Sequence, residues 1–298
     1  MLFRSAIFVN LIFNYFLIYG TCGFPELGVR GAAIATVMSR YVELGLILIG
    51  THGKKKKKEF LHGLYNGFSV PKKLCGQIAQ KGLPLLINEM LWSLGLSMLT
   101  QCYSYRGLAA VAALNINSTV FNLFNAVIVT MGSTVGVIIG NLLGAEQYKR
   151  ARSYCPKLAA LSCAASVAVC LLMLLAAPLI PRLYNTTEEV MDLAAALIRV
   201  CACTMPVHAV MNASYWTIRA GGRTYITVLT DSVYTWVVSV PLAWVLIHVT
   251  ALPLIEAYIF VNLADILKMT IGIVLVSRGI WMRNIITGEA IRPEQLTD

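Results

Sequence analysis

Two carboxylates lie inside runs of residues that have no other charge near them. Glu89 sits in LPLLINEMLWSLGLSMLT and Asp231 in YITVLTDSVYTWVVSV. Glu89 follows Lys81 by eight residues and Asp231 follows Arg223 by eight. On a helix rising about 1.5 Å per residue, each acid is therefore about 12 Å beyond the basic residue that precedes its run. An ionisable group at membrane depth is costly and marks an ion or substrate path by default. The chemistry open to such an acid is the binding and release of a cation. Desolvation favours the neutral carboxyl, so a proton suits it, and Na⁺ does too where amide and backbone oxygens stand nearby. The resulting candidates for cation coupling are Glu89 and Asp231, with Na⁺ at Glu89 an open alternative to H⁺. A third acid, Asp265, has Lys268 three residues on, and a local ion pair is the expectation there.

Polar side chains recur around these acids at helical spacing. Glu89, Ser93, Ser97, Thr100 and Ser104 are spaced 4, 4, 3 and 4, and Glu89 is flanked by Asn88 and Trp92. Asn115, Ser118, Asn122 and Asn125 are spaced 3, 4 and 3, and His208, Asn212, Tyr215 and Arg219 are spaced 4, 3 and 4. Residues three and four apart share one helix face. The expected lining of a polar path is thus Asn88, Trp92, Asn115, Asn122, His208, Asn212 and Tyr215. Interhelical hydrogen bonding explains the asparagines equally well, and His208 reads as a bundle histidine or a proton carrier. Gly132, Gly136, Gly140 and Gly144 recur every four residues, a stripe that lets helices approach closely in lipid. The eight cysteines show no CxxC or Cys/His spacing, so no metal site or disulfide framework is expected. No nucleophile–base constellation, P-loop or dinucleotide glycine pattern is present, which argues against an enzyme.

The elements that must position these groups are membrane spans. The 298 residues are 58% hydrophobic and 13% charged, with mean hydropathy +0.72, well outside the range of a soluble domain. A helical span needs about 20 apolar residues, and eight candidates stand out at 3–20, 30–50, 83–104, 109–143, 158–182, 190–218, 224–248 and 253–279. The fourth is too long for one crossing, so a separate turn near 108–114 or a projection beyond the bilayer is expected. The net charge of +10 does not point to nucleic acid. With alternating sides assigned to the loops, 18 of the 24 basic residues fall on one side, 3 on the other and 3 within spans. That asymmetry predicts a plasma (inner) membrane protein with both ends cytoplasmic. The run Lys54–Lys58 then lies in a cytoplasmic loop near anionic lipid. The expected divisions are a two-helix hairpin at 1–52, a basic linker at 53–80, a six-helix unit at 81–284 and a tail at 285–298. Pro84 falls in the first turn of its span, where proline is tolerated. Arg40 and Glu43 are placed for a local pair.

Several stretches resemble one known family, the multidrug and toxic compound extrusion (MATE) transporters. NYFLIYG at 14–20 with GFPELGVRGAAIAT at 23–36 resembles the turn between that family's fifth and sixth helices. GLPLLINEMLWSLG at 82–95 is similar to its seventh helix, and GNLLGA at 140–145 to the close of its eighth. RAGGRT at 219–224 stands where the family commonly carries an acid after the glycines, and Arg223 departs from that. The resemblance implies an all-α fold of two six-helix lobes related by a pseudo-twofold axis. It aligns about eight transmembrane helices here with helices 5–12 of twelve, so a missing N-terminal segment of four helices is expected. It implies export of small amphipathic or cationic organic substrates by antiport with H⁺ or Na⁺, with no other cofactor and with membrane lipid as surroundings. Glu89 matches the seventh-helix acid tied to cation coupling in some members. The tenth-helix acid has no counterpart, and Asp231 is assigned in its place by proximity. A flippase for lipid-linked oligosaccharides from the same superfamily, and a fragment that does not transport alone, remain the alternatives.

Overall fold

The computed structural model describes residues 2–23, 25–52, 72–250 and 252–282. Those residues form helices joined by short turns, and no strand occurs among them. The chain divides into two compact units, Met1–Pro71 and Lys72–Asp298.

The first unit is a hairpin of α1 (Leu2–Tyr19) and α2 (Val29–His52). Gly20 takes a φ of +63° just after α1, a left-handed conformation that glycine adopts without penalty. The amide of Leu27 donates to the carbonyl of Leu17 at 2.9 Å, which folds the turn back on α1. Gly31 then lies against that carbonyl so closely that any side chain would overlap it. This is the close approach that the small-residue run at 28–36 predicts. Asn10 and Asn14, four residues apart, fall on one face as helical spacing predicts: Asn14 donates to Asn10 at 2.9 Å, and Asn10 to Ser39 Oγ of α2 at 3.3 Å. Arg40 and Glu43 form the expected local pair at 2.8 Å. The lysine run 54–58 and the tail 285–298 lie outside the described residues, as does most of the expected linker.

The second unit contains α3 (Lys72–Ser104), α4 (Leu108–Gly144), α5 (Tyr148–Ala176), α6 (Glu188–Ala220), α7 (224–249) and α8 (Leu254–Ser277). Seven helices of the described chain are long and apolar enough to cross a membrane, and a shorter apolar helix covers Ile7–Tyr19. One expectation needs correction, for α3, and one of two alternatives falls away, for α4. Helix α3 begins at Lys72, so Pro84 lies well inside it and not in its first turn, and the stretch 72–80 is continuous with the span. Helix α4 is unbroken over 37 residues, with no separate turn at its start. At about 1.5 Å per residue it is about 55 Å long, against a hydrocarbon core of about 30 Å. It must tilt or project.

Helix α6 is the centre of this unit and packs against α4, α5 and α8. Its inner face, including Ala194, Leu197, Ile198, Ala202, Met205 and Ala209, is almost wholly buried. Small residues alternate with Leu, Ile and Met there, so neighbouring helices approach closely without leaving voids. The glycine stripe of α4 meets α6 directly. A Cβ at Gly132 would overlap Asn212 Oδ1, one at Gly136 would lie 3.2 Å from Trp216, and one at Gly140 would lie 3.9 Å from Ala220. Helix α7 mixes α turns with π turns at Leu229–Val233, Thr235–Ser239 and Val245–Val249. Such turns are uncommon in helices and gather at functional sites. The turn before α7 is clamped from behind by Trp281, which is 1% exposed and donates its Nε1 to Val276 O at 2.9 Å. Gly221 faces the backbone of Trp281 at a distance that no Cβ could occupy.

Candidate functional site

The charged side chains inside the second unit form pairs that run between helices. Glu89 of α3 meets Arg219 near the end of α6, with Oε1 and Nη1 3.5 Å apart. The expectation that Glu89 has no partner is therefore corrected: its counterion lies 130 positions away in the chain. The contact is looser than a charge-assisted hydrogen bond, which runs about 2.7–2.9 Å. Glu89 keeps 56% of its side chain exposed, whereas Arg219 keeps 25%. The guanidinium is held by more than the acid. It donates to Tyr215 Oη at 3.0 Å and sits 4.9 Å from the centre of the Trp216 ring. Arginine stacked on an aromatic face and bonded at its edge is fixed in place, so Arg219 is the stationary member of this pair and Glu89 the accessible one.

Asp231, in the first π turn of α7, is bonded to Lys268 of α8 at 2.5 Å. Both side chains are mostly buried, at 15% exposure for Lys268 and 19% for Asp231. Two expectations change with this contact. Lys268 does not pair with Asp265 on its own helix, and Asp231 is not an unpartnered acid. An i, i+3 spacing brings two side chains within reach but does not decide between a neighbour on the same helix and a better aligned one across the interface. Here the interface prevails, since the π turn presents Asp231 toward α8. The Lys268 ammonium also lies 5.9 Å from the centre of the Tyr234 ring. Tyr234 Oη in turn donates to Ala264 O of α8 at 2.5 Å. Electrostatic reach links the pairs: Tyr215 lies within the fields of Glu89, Arg219 and Asp231, and His208 within that of Lys268.

The expected lining residues separate into three groups. Asn88 is 1% exposed and receives hydrogen bonds from Ser232 Oγ at both its backbone carbonyl (2.9 Å) and its Oδ1 (2.7 Å). It fastens α3 to the π turn that carries Asp231, and Trp236 Nε1 adds a bond to Leu91 O at 2.9 Å. Trp92, Asn115 and Asn122 are exposed. His208, Asn212 and Tyr215 are half-buried along α6, with His208 edge-on to Phe121 at 5.7 Å. Asn212 keeps Oδ1 buried without a hydrogen-bond partner. Asn117, not Asn115, is the buried asparagine of α4. It donates to Tyr258 Oη at 3.1 Å, beside Cys201 Sγ at 3.0 Å from the same oxygen. The residues missed from sequence are Lys268 as partner of Asp231, and Trp216, Tyr258 and Trp281. Only the first carried a signal in the sequence: Lys268 is one of three basic residues placed within spans and so needs a carboxylate near it.

No group of three or more His, Cys, Asp or Glu that could hold a metal ion occurs among the described residues. The arrangement instead holds carboxylates and their counterions inside an apolar helical bundle, and that defines a class: a multi-pass membrane protein with ionisable groups at membrane depth. The MatE family model matches residues 84–245, just over half of the chain, and the chain belongs to that family, whose members are transporters and not enzymes. The chain is 25% identical to the probable multidrug resistance protein NorM of Thermotoga maritima over 288 residues, covering 96% of this chain and 61% of the relative. It is 25% identical to the human multidrug and toxin extrusion protein 1 over 83% of this chain and 42% of that protein. A MOP superfamily transporter from Pyrococcus furiosus has the same fold, with a TM-score of 0.80 at 20% identity, over 92% of this chain and 60% of that one. The bent form of the Vibrio cholerae MATE transporter VcmN gives a TM-score of 0.71 at 17% identity. The chain thus spans about three fifths of the length of the Thermotoga and Pyrococcus proteins.

Proposed function

We propose that this chain carries the cation-binding half of a secondary exporter of small amphipathic or cationic organic compounds in the plasma membrane. Glu89 is its coupling carboxylate, H⁺ or Na⁺ its coupling ion, and both of its ends are cytoplasmic. The observation that carries the reading is the pairing of an accessible acid with a fixed base. Glu89 is 56% exposed and only 3.5 Å from Arg219, while Arg219 is separately held by Tyr215 and Trp216. A cation that neutralises Glu89 removes this contact and leaves Arg219 in place. Loading the cation thus acts on the charged link between α3 and α6. A ligand shifts a conformational equilibrium only by its differential affinity for the two states, and this link supplies such a difference. The names of the Thermotoga and human relatives support organic compounds as cargo. The basic side chains Arg219 and Lys268 are engaged by carboxylates, which weighs against an oligosaccharide-pyrophosphate cargo.

The test uses proteoliposomes and a fluorescent organic cation. Because about two fifths of the Thermotoga relative has no counterpart in this chain, the chain is reconstituted alone and together with the first four helices of that relative. An imposed H⁺ or Na⁺ gradient is expected to drive export in at least one of the two preparations, and Glu89→Gln to abolish it. Undiminished export by Glu89→Gln would remove Glu89 from the coupling step.

A further inference from the structure

The charges held between the helices of this unit do not balance; Arg199 of α6 is exposed and is paired with none of them. Glu89 is matched by Arg219 and Asp231 by Lys268, and both matches are made by direct contact. Asp265 is the remaining acid. It lies eleven residues beyond Leu254, so about 16 Å along a helix about 36 Å long. That places it near the middle of α8. It is half-buried and stands three residues before Lys268 on the same face of α8, so the ammonium bonded to Asp231 also lies beside Asp265. The other titratable groups around it are Tyr234 from α7 and Tyr103 from α3, both of which feel its charge, with His208 of α6 facing Lys268. None of these is a second ammonium or guanidinium. Two carboxylates therefore share one cation, and the cluster carries a net charge of −1 at the depth where an uncompensated charge is most expensive. Two carboxylates sharing a site are rarely both ionised, because each disfavours the charge of the other.

We propose that Asp265 is a proton-binding carboxyl of this protein, made so by the ammonium of Lys268 being committed to Asp231. A hydronium ion of the bathing water breaks one O–H bond and is left as water, one O–H bond forms on Asp265, and the net charge of the cluster goes from −1 to zero while Lys268 stays an ammonium. A metal cation fits less well. The ammonium already occupies the position next to the carboxylates that a metal would need, and it repels one. This inference goes beyond export coupled through Glu89 and does not require that any cargo be moved.

The test is therefore an equilibrium measurement on the purified chain in lipid, without substrate or gradient. Infrared difference spectra between high and low pH report protonated carboxyls through their C=O stretch. A band is expected that vanishes in Asp265→Asn and shifts in frequency in Asp265→Glu. Asp231→Glu is expected to leave the band where it is. Lys268→Met should enlarge it, since two acids then lack a cation. Exchanging K⁺ for Na⁺ at constant pH should leave it unchanged. Circular dichroism and thermal unfolding of each variant exclude misfolding, and the Asp265→Glu shift does not depend on removing the acid. A band that survives Asp265→Asn, or that moves with Asp231→Glu instead, would overturn the assignment. Loss of the band in Na⁺ would show a metal site in place of a protonated one.

Discussion

The glycine stripe of α4 allows a graded test, because its members meet α6 at different distances. Replacing glycine by alanine inside a helix gains about 0.8–1.0 kcal/mol from backbone propensity alone. The gain survives only where the new methyl group has room. At Gly140 the Cβ would lie 3.9 Å from Ala220, ordinary van der Waals contact, so Gly140→Ala should stabilise the protein by about 1 kcal/mol. At Gly136 the Cβ would come within 3.2–3.4 Å of both side-chain and backbone atoms of Trp216. The cost there should roughly cancel the gain. At Gly132 it would overlap Asn212 Oδ1 and come within 2.7 Å of Trp216 Cδ1. Asn212 must then turn, and its Oδ1 is already buried without a partner. Overpacking costs about 1–3 kcal/mol, so Gly132→Ala should be neutral to about 2 kcal/mol destabilising after the propensity gain. The spread between Gly140→Ala and Gly132→Ala is thus about 1–3 kcal/mol, about one to two decades in the unfolding equilibrium constant. Reversible unfolding in mixed micelles, followed by tryptophan fluorescence, resolves that spread. Equal stability of the two variants would refute the claim that this stripe is where α4 and α6 touch.

Two further outcomes follow from single contacts. Lys268→Met strands the mostly buried Asp231 and should cost about 3 kcal/mol at a pH where the acids are ionised, whereas Asp231→Asn with Lys268→Met together should cost much less. A double variant no more stable than Lys268→Met would show that the pair does not hold α7 to α8. Arg106 donates from Nη2 to Ile247 O at 2.9 Å and so ties the α3–α4 turn to the last π turn of α7. A hydrogen bond from a charged donor contributes about 1.5–3 kcal/mol, so Arg106→Ala should speed amide exchange at 245–250 by about one to two decades and leave α5 unchanged. Uniform acceleration across the chain would mean that the contact supports global stability and not this end.

What the sequence made legible follows from what helical period and composition encode. Apolar runs and basic loops mark the spans, because the bilayer imposes a length and loop charge an orientation. Contacts within one helix or one hairpin were equally readable: Asn10 with Asn14, Arg40 with Glu43, and the glycine stripe as a packing surface. Partners across helices were not. A stripe at 3–4 spacing says that Asn115 and Asn122 share a face, and the structure leaves that face exposed. Asn117, off the stripe, turned out to be the buried one, because Tyr258 of a helix 141 positions later meets it. The π turns of α7 lay beyond sequence reasoning for a related reason. Nothing in LTDSV distinguishes an i→i+5 turn from an α turn until Ser232 is seen bonding Asn88 of α3.

The misread lysine shows why that limit matters for function. Pairing Lys268 with Asp265 by spacing leaves Asp231 as the odd acid and makes α7 the carrier of an unmatched charge. The observed contact moves the odd acid to α8 without changing the number of charges. Any account of cation loading in this unit therefore depends on which helix holds the uncompensated carboxylate, and composition cannot specify it. The two placements also differ in mechanism. Asp231 lies in a π turn fastened to α3 through Ser232 and Asn88, so neutralising it would act on the α3–α7 contact. Asp265 lies on a regular helix packed on α6, so neutralising it acts on the seam between α6, α7 and α8. The Glu89–Arg219 contact joins α3 to α6 at a different seam. The two proposed cation sites thus lie at separate seams of one bundle, and the coupling between them is a measurable free energy: the change in proton binding at Asp265 that Arg219→Met produces. A value near zero would make them separate sites, and a change of about one kcal/mol or more would make α6 the element through which they communicate.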